Sequence, residues 1–131
     1  MIFVDTSVWY AANVAEDEDH SRARQLFLES TSDFVTTDFI VDELMTLLVA
    51  RNQRSVATRI GDGFLSGQYC RLIWVTEEDV RAGWQVFKSY VDKKWSFTDC
   101  VSYAVMKRLG IQEAFSLDED FRQFGFVRVM P

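Results

Sequence analysis

Asp5, Glu43, Asp99 and Asp118 are the carboxylates of this chain whose surroundings least resemble those of water-facing acids. Asp5 closes the apolar run Ile2-Phe3-Val4, and Asp118 closes Ala114-Phe115-Ser116-Leu117 in the same way. Residues three and four apart share a helix face, and on that spacing Glu43 lies over Phe39 and Ile40 on one side and Leu47 on the other, inside an apolar stripe. Its neighbour Asp42 lines up with Asp38 and Thr46, toward the polar side. Asp99 heads an otherwise apolar helical stretch containing Val101, Ala104, Val105 and Leu109. Each acid also has a purely structural use. Asp5 and Asp118 can cap the helical turns that follow them, and Asp99 suits the positive end of a helix dipole. Glu43 can reach water from the edge of its stripe, and Asp120 competes with Asp118 for any role at the second strand end.

The chemistry open to such acids depends on whether they meet. Carboxylates gathered in one pocket repel one another, which raises their pKa values. A hard divalent cation removes the problem, because Mg²⁺ or Mn²⁺ takes oxygen ligands, usually a couple of carboxylates with waters and substrate phosphate. A site of that kind activates water and clamps phosphoryl oxygens for in-line displacement.

The elements that must position these acids alternate along the chain. Short strand-like runs are Ile2–Val4, Phe34–Thr37, Leu72–Val75, Ala114–Leu117 and Val127–Val129. Helical patterns fall between them: Val8–Val14, His20–Ser30, a stretch capped by Asp38 and reaching Arg51, Ser55–Leu65, a stretch capped by Thr76 and reaching Asp92, and Ser96–Leu109 stopped by Gly110. Thr6 and Ser7 offer an N-cap for the first helix. Alternating strands and helices predict an α/β fold, a parallel sheet with helices on both faces. In such sheets strand C-termini and the following helix N-termini share one edge, where ligands bind. All four acids are predicted at that edge.

Composition narrows the function. The 131 residues predict one domain, with no linker or repeat, spanning 1–131. The net charge of −6 argues against unaided nucleic-acid binding, because affinity for phosphates comes from Lys and Arg. The single histidine, His20, lies beside Glu16, Asp17, Glu18 and Asp19 and reads as a solvated helix start. Having one histidine disfavours paired-His nucleases and His-rich zinc sites. Cys70 and Cys100 read as core thiols, and no run approaches the roughly 20 apolar residues of a membrane span. A cytoplasmic protein is expected.

Val-Asp-Thr-Ser at 4–7, Asp-Glu-Leu at 42–44, Phe-Thr-Asp-Cys at 97–100 and Ser-Leu-Asp-Glu-Asp-Phe at 116–121, in that order, make the chain resemble the PIN-domain ribonucleases. The likeness is greatest to the small VapC toxins of toxin–antitoxin pairs. It implies a PIN-like three-layer fold and Mg²⁺-dependent endonucleolytic cleavage of RNA, with Mn²⁺ as an alternative cation. It also implies metal binding by Asp5 and Asp99, with Glu43 and Asp118 completing the catalytic set. Thr6 and Thr98 are further candidates for orienting water. The resemblance also implies a cognate antitoxin and a homodimer. A non-catalytic PIN-like module that binds RNA or protein, and a PIN nuclease of RNA processing without a toxin role, are the alternatives. An acidic pocket suits an inserted Arg or Lys of an antitoxin; Leu26, Phe27, Leu47 and Leu48 are read first as core, with apolar edges for a partner helix or a second copy as the alternative. Among the aromatics, Trp9, Tyr10 and Trp95 are expected near the acidic edge, with Lys93 and Lys94 as possible phosphate contacts. Phe27, Phe39, Trp84, Phe87 and Phe115 are read as packing.

Overall fold

The computed structural model describes residues 1–130. The chain runs β1 (Ile2–Val4), α1 (Thr6–Asn13), α2 (His20–Glu29), β2 (Phe34–Thr37), α3 (Asp38–Ala50), α4 (Arg54–Leu65), β3 (Arg71–Ile73), α5 (Glu77–Ser89), α6 (Phe97–Leu109), β4 (Glu113–Phe115), a 3-10 turn (Phe121–Phe124) and β5 (Arg128–Met130). The strands form one sheet in the order β3-β2-β1-β4-β5, and every pairing is parallel. The expected α/β architecture is therefore present, and the structure adds the strand order. From β1 the chain moves outward to β2 and β3, then returns across the sheet to β4. Right-handed crossovers lay the helices of the outward path on one face and α5 and α6 on the other. The order reverses at β1, so a crevice opens beyond its C-terminal end, between β2 and β4.

Burial explains why β1 is central. Ile2, Phe3 and Val4 are all buried, as a strand covered on both faces must be. Phe3 registers with Val35 on one side and Ala114 on the other. Thr36 is buried among these apolar strands, and its hydroxyl donates to the Val4 carbonyl at 3.0 Å. The stripe proposed for α3 is real: Ile40, Leu44 and Leu48 are fully buried.

Helix ends differ from the sequence reading in two places. Asp5 occupies the N-cap position of α1, while Thr6 and Ser7 lie inside the helix. Thr37, not Asp38, caps α3 by accepting from the Ile40 amide. The Asp38 carboxylate instead accepts from the Val75 amide at 2.7 Å, tying the end of β3 to the start of α3. Thr76 caps α5 as expected, and Asp79 completes a capping box. Asp79 also takes a bidentate bond from Arg108 at 2.7 and 2.8 Å, which joins the first turn of α5 to the last turn of α6. These two helices touch most closely at Gly83, where a Cβ would lie 2.8 Å from Val101 Cγ2 and 3.0 Å from its Cα. Gly63 similarly admits the ring of Tyr69, which explains a glycine inside α4. His20 is not merely solvated: its Nδ1 pairs with the Ala11 carbonyl at 2.7 Å and holds α2 against α1. Cys70 and Cys100 are buried free thiols. Among the described residues, no helix is long and apolar enough to cross a membrane.

Candidate active site

The residue at the C-terminal end of the central strand must face the crevice, and Asp5 is that residue. It is 1% exposed. Its side chain makes no cap bond to α1 despite holding the N-cap position. Asp5 Oδ2 instead accepts from Ser7 Oγ at 3.1 Å and from Ser116 Oγ at 2.9 Å. Each of those hydroxyls is itself held by a backbone donor. The Leu117 amide donates to Ser7 Oγ at 3.0 Å, and the Asp118 amide donates to Ser116 Oγ at 3.1 Å. The Asp5 amide also donates to the Phe115 carbonyl at 3.0 Å. The ends of β1 and β4 are thereby locked together, with Asp5 clamped between two serines. Neither serine was singled out for a role at the carboxylates by sequence reasoning. The available signal was a Ser within two residues of each strand-terminal Asp.

Glu43 is half-buried on α3, and Thr6 Oγ1 donates to its Oε1 at 2.5 Å. Asp42 is exposed. Glu43 thus lies on the more buried side of α3 and Asp42 on the exposed one, and Thr6 ties the glutamate to the start of α1.

Asp99 is buried in the first turn of α6 and does serve as a capping residue. Its Oδ2 accepts from the Ser96 amide at 3.0 Å, and Ser96 Oγ accepts from the Asp99 amide at 3.1 Å. The capping role and proximity to the other acids hold together, because one carboxylate oxygen is spent on the cap. Asp118 is exposed on the loop after β4, while Asp120 is half-buried and within hydrogen-bonding reach of Asp99. Neither Asp118 nor Asp120 caps the 3-10 turn through its side chain.

The electrostatics show that these acids converge. Burial raises the Asp5 carboxyl well above its ordinary value, and the negative charges of Asp118 and Asp99 raise it further, against the lowering effect of the two serines. Asp99 is pushed up to about 7, chiefly by burial, then by the hydrogen bond with Asp120 and the charges of Asp120 and Glu43, while the Ser96 amide opposes this. No cation figures among the groups that set either value. Among the described residues, no three acids, His or Cys close into a cage that could by itself hold a metal ion. The donor set still suits a hard cation. It consists of carboxylate oxygens whose mutual repulsion a positive charge would relieve, arranged openly enough to leave places for water and phosphate.

The structure corrects the aromatic reading. Trp9, Tyr10 and Trp95 are buried, with Trp9 Nε1 donating to Thr36 and Trp95 Nε1 donating to Gln123, so none offers a free face to substrate. Trp84 and Phe87, read as packing, are about half exposed. Leu26, Phe27, Leu47 and Leu48 keep the core role read first for them: Leu48 is fully buried, and the other three pack against the core.

Comparison with known proteins agrees with this fold. The family model for the PIN domain matches residues 2–127. The 23S rRNA-specific endonuclease VapC20 of Mycobacterium tuberculosis is 35% identical over 131 residues, covering 100% of this chain and 99% of that protein. A VapC ribonuclease of Archaeoglobus fulgidus is 25% identical over 114 residues, covering 83% of this chain and 72% of that one. The crystal structure of the Mycobacterium tuberculosis VapC20, a sarcin–ricin loop cleaving toxin, superposes with a TM-score of 0.92 at 32% identity and full coverage of both chains. A toxin–antitoxin complex from Klebsiella pneumoniae matches in fold, with a TM-score of 0.68 at 13% identity over 98% of this chain and 96% of that one.

Proposed function

The chain belongs to the PIN-domain family and is a VapC-type endoribonuclease, a hydrolase acting on RNA, and we propose that it works at the crevice where Asp5, Glu43, Asp99 and Asp118 meet. The observation that carries this assignment is the state of Asp5: a buried carboxylate, spent on no helix cap, held by two serines and opposed only by other acids. Such a group destabilises the cation-free fold and gains its use when positive charge enters. Asp5 and Asp99 would hold a divalent cation, Mg²⁺ first and Mn²⁺ second, which supplies positive charge and Lewis acidity at the scissile phosphate.

The chain's own residues do the rest. Ser7 and Ser116 fix Asp5 and so fix where the phosphate rests. Thr6 holds Glu43 with one oxygen occupied, leaving the other to accept a proton from the attacking water. Asp118, at the exposed lip of the crevice, completes the acidic set, and Asp120 keeps Asp99 company behind it. Water forms a new P–O bond as the bond to the leaving ribose oxygen breaks; the water's proton passes to Glu43, and the leaving oxygen takes up a proton from solvent at the open crevice.

Ribosomal RNA is the substrate we place first, by analogy with the rRNA-specific relative. A single PIN domain over 1–131, a cytoplasmic location, a homodimer and a cognate antitoxin that silences the crevice complete the proposal. Purified protein should cleave RNA in Mg²⁺ and stop in EDTA, and Asp5→Asn should stop it in both. Undiminished cleavage in EDTA would sink the metal role.

A further inference from the structure

Two segments bring Asp99 and Asp120 together, and a hydrogen bond joins the same two segments away from the acids. The first is the connection into α6, where Trp95 precedes Ser96, whose hydroxyl caps the helix by accepting from the Asp99 amide. The second is the 3-10 turn Phe121–Phe124, which follows directly on Asp120. Trp95 is 5% exposed, and its Nε1 donates to Gln123 Oε1 at 3.1 Å, 28 positions away. The ring of Phe124 meets Trp95 edge-on at 5.0 Å and Tyr103 of α6 at 5.2 Å. Phe121 stacks on Phe3 of β1 at 5.8 Å. The turn is thus seated on the core by its phenylalanines and tied to the start of α6 by its glutamine.

The glutamine is the unexpected member. A buried indole N–H needs an acceptor, but Gln123 is an exposed residue, and fixing its long side chain costs rotamer entropy. The place of the bond shows what it holds. Asp120 is half-buried and hydrogen-bonds with Asp99, although each carboxylate opposes the other's charge. Left to repulsion, the two acids would part as they ionise. Parting moves the turn away from the start of α6, and Trp95 and Gln123 span that same gap, four residues from Asp99 and three from Asp120. We propose that the Trp95–Gln123 hydrogen bond is the contact that keeps Asp120 beside Asp99 and thereby sets the affinity of the crevice for its divalent cation. The acids are then held ready, and the cation does not have to draw the loop in. Gln123 acts through Asp120 and is a positioning residue, not a catalytic one.

This inference rests on the cation reading of the crevice, and direct cation binding tests it apart from cleavage. Mn²⁺ is titrated into the full chain, with the free ion followed by electron paramagnetic resonance. Asp5→Asn should lose the tight binding, which locates the titrated site at the crevice. Gln123→Ala and Trp95→Phe should each weaken Mn²⁺ binding about three- to tenfold, the range expected for one hydrogen bond. The double variant should bind no more weakly than the weaker single one, because both changes remove the same contact. A glutamine that only steadied the turn would shift the melting temperature and leave Mn²⁺ affinity alone. A second measurement is made on the wild type and needs no variant to bind. Coupling is reciprocal, so saturating Mg²⁺ should slow hydrogen exchange of the Trp95 indole N–H by a similar factor, its resonance assigned as the one missing from Trp95→Phe. Mn²⁺ affinity of Gln123→Ala within about twofold of the wild type, additive losses in the double variant, or indole exchange indifferent to Mg²⁺ overturns the proposal. Failure of the wild type to bind Mn²⁺ at the crevice would instead overturn the cation reading, and this inference with it.

Discussion

Glu43 and Asp42 are adjacent in sequence and opposite in circumstance. Glu43 is held by Thr6 at the crevice, and Asp42 is exposed on the far side of α3. Loss of a group that accepts a proton in the transition state typically costs about 10²–10⁴ in rate. Glu43→Gln should therefore slow cleavage at least about a hundredfold, while Asp42→Asn keeps most of the activity, as read from initial rates on one RNA. Equal losses would show that α3 presents another face to the substrate. Asp5 and Asp99 allow a prediction about stability. Their folded-state pKa values lie above the ordinary carboxylate range, to about 7 for Asp99. The folded chain thus holds protons that the unfolded chain would release. Without a cation, the contribution of these two groups to stability is full below the ordinary carboxylate pKa and is lost as pH rises through the raised values. Asp5→Asn removes one of the repelling charges, so in EDTA at pH 8 its melting temperature should exceed that of the wild type by several degrees. Added Mg²⁺ should raise the wild type more than the variant. A variant that melts at or below the wild type throughout the pH range in EDTA would contradict this account.

Helices position the acids, and the α5–α6 pair shows how. Gly83 lets α5 approach the backbone of α6 two residues beyond Asp99, where a Cβ would meet Val101 atoms at 2.8, 3.0 and 3.1 Å. Gly83→Ala places a methyl group against main chain that cannot yield, at a cost of about 1–3 kcal/mol. The expected result is a lower melting temperature together with slower cleavage, because the displaced helix carries Asp99. A variant as stable and active as the wild type would mean that the helices part freely. This helix pair also marks where the sequence stopped being readable. Periodicity located nearly every strand and helix, and the strand-end rule brought Asp5, Asp99 and Glu43 to one edge. It failed on α5, because ranking residues by apolar size turns Trp84 and Phe87 inward, whereas closest approach belongs to the smallest residue. It failed at Trp9, Tyr10 and Trp95 for a related reason: proximity to an edge in sequence does not reveal a ring that folds back into the core. Asp38 was misread as a cap because its carboxylate bonds to Val75, 37 positions away, and no local pattern announces such a partner.

At the scale of the whole molecule, the proposed antitoxin makes a prediction in cells. Expression of this chain alone should arrest bacterial growth, co-expression of an adjacent small open reading frame should relieve the arrest, and Asp99→Asn should be harmless without it. Robust growth with abundant folded wild-type protein would remove the toxin role and leave the nuclease standing. The serine clamp has a consequence for the life of the protein before any silencer arrives. Asp5 and Ser116, bonded at 2.9 Å, are 111 positions apart, and β1 lacks its β4 neighbour until the chain reaches that region. In a chain made from its N-terminus, Asp5 emerges early and the serine that fixes it emerges 111 positions later. On the proposed mechanism the growing chain should therefore be unable to cut RNA until β4 has paired with β1 and Ser116 has closed on Asp5.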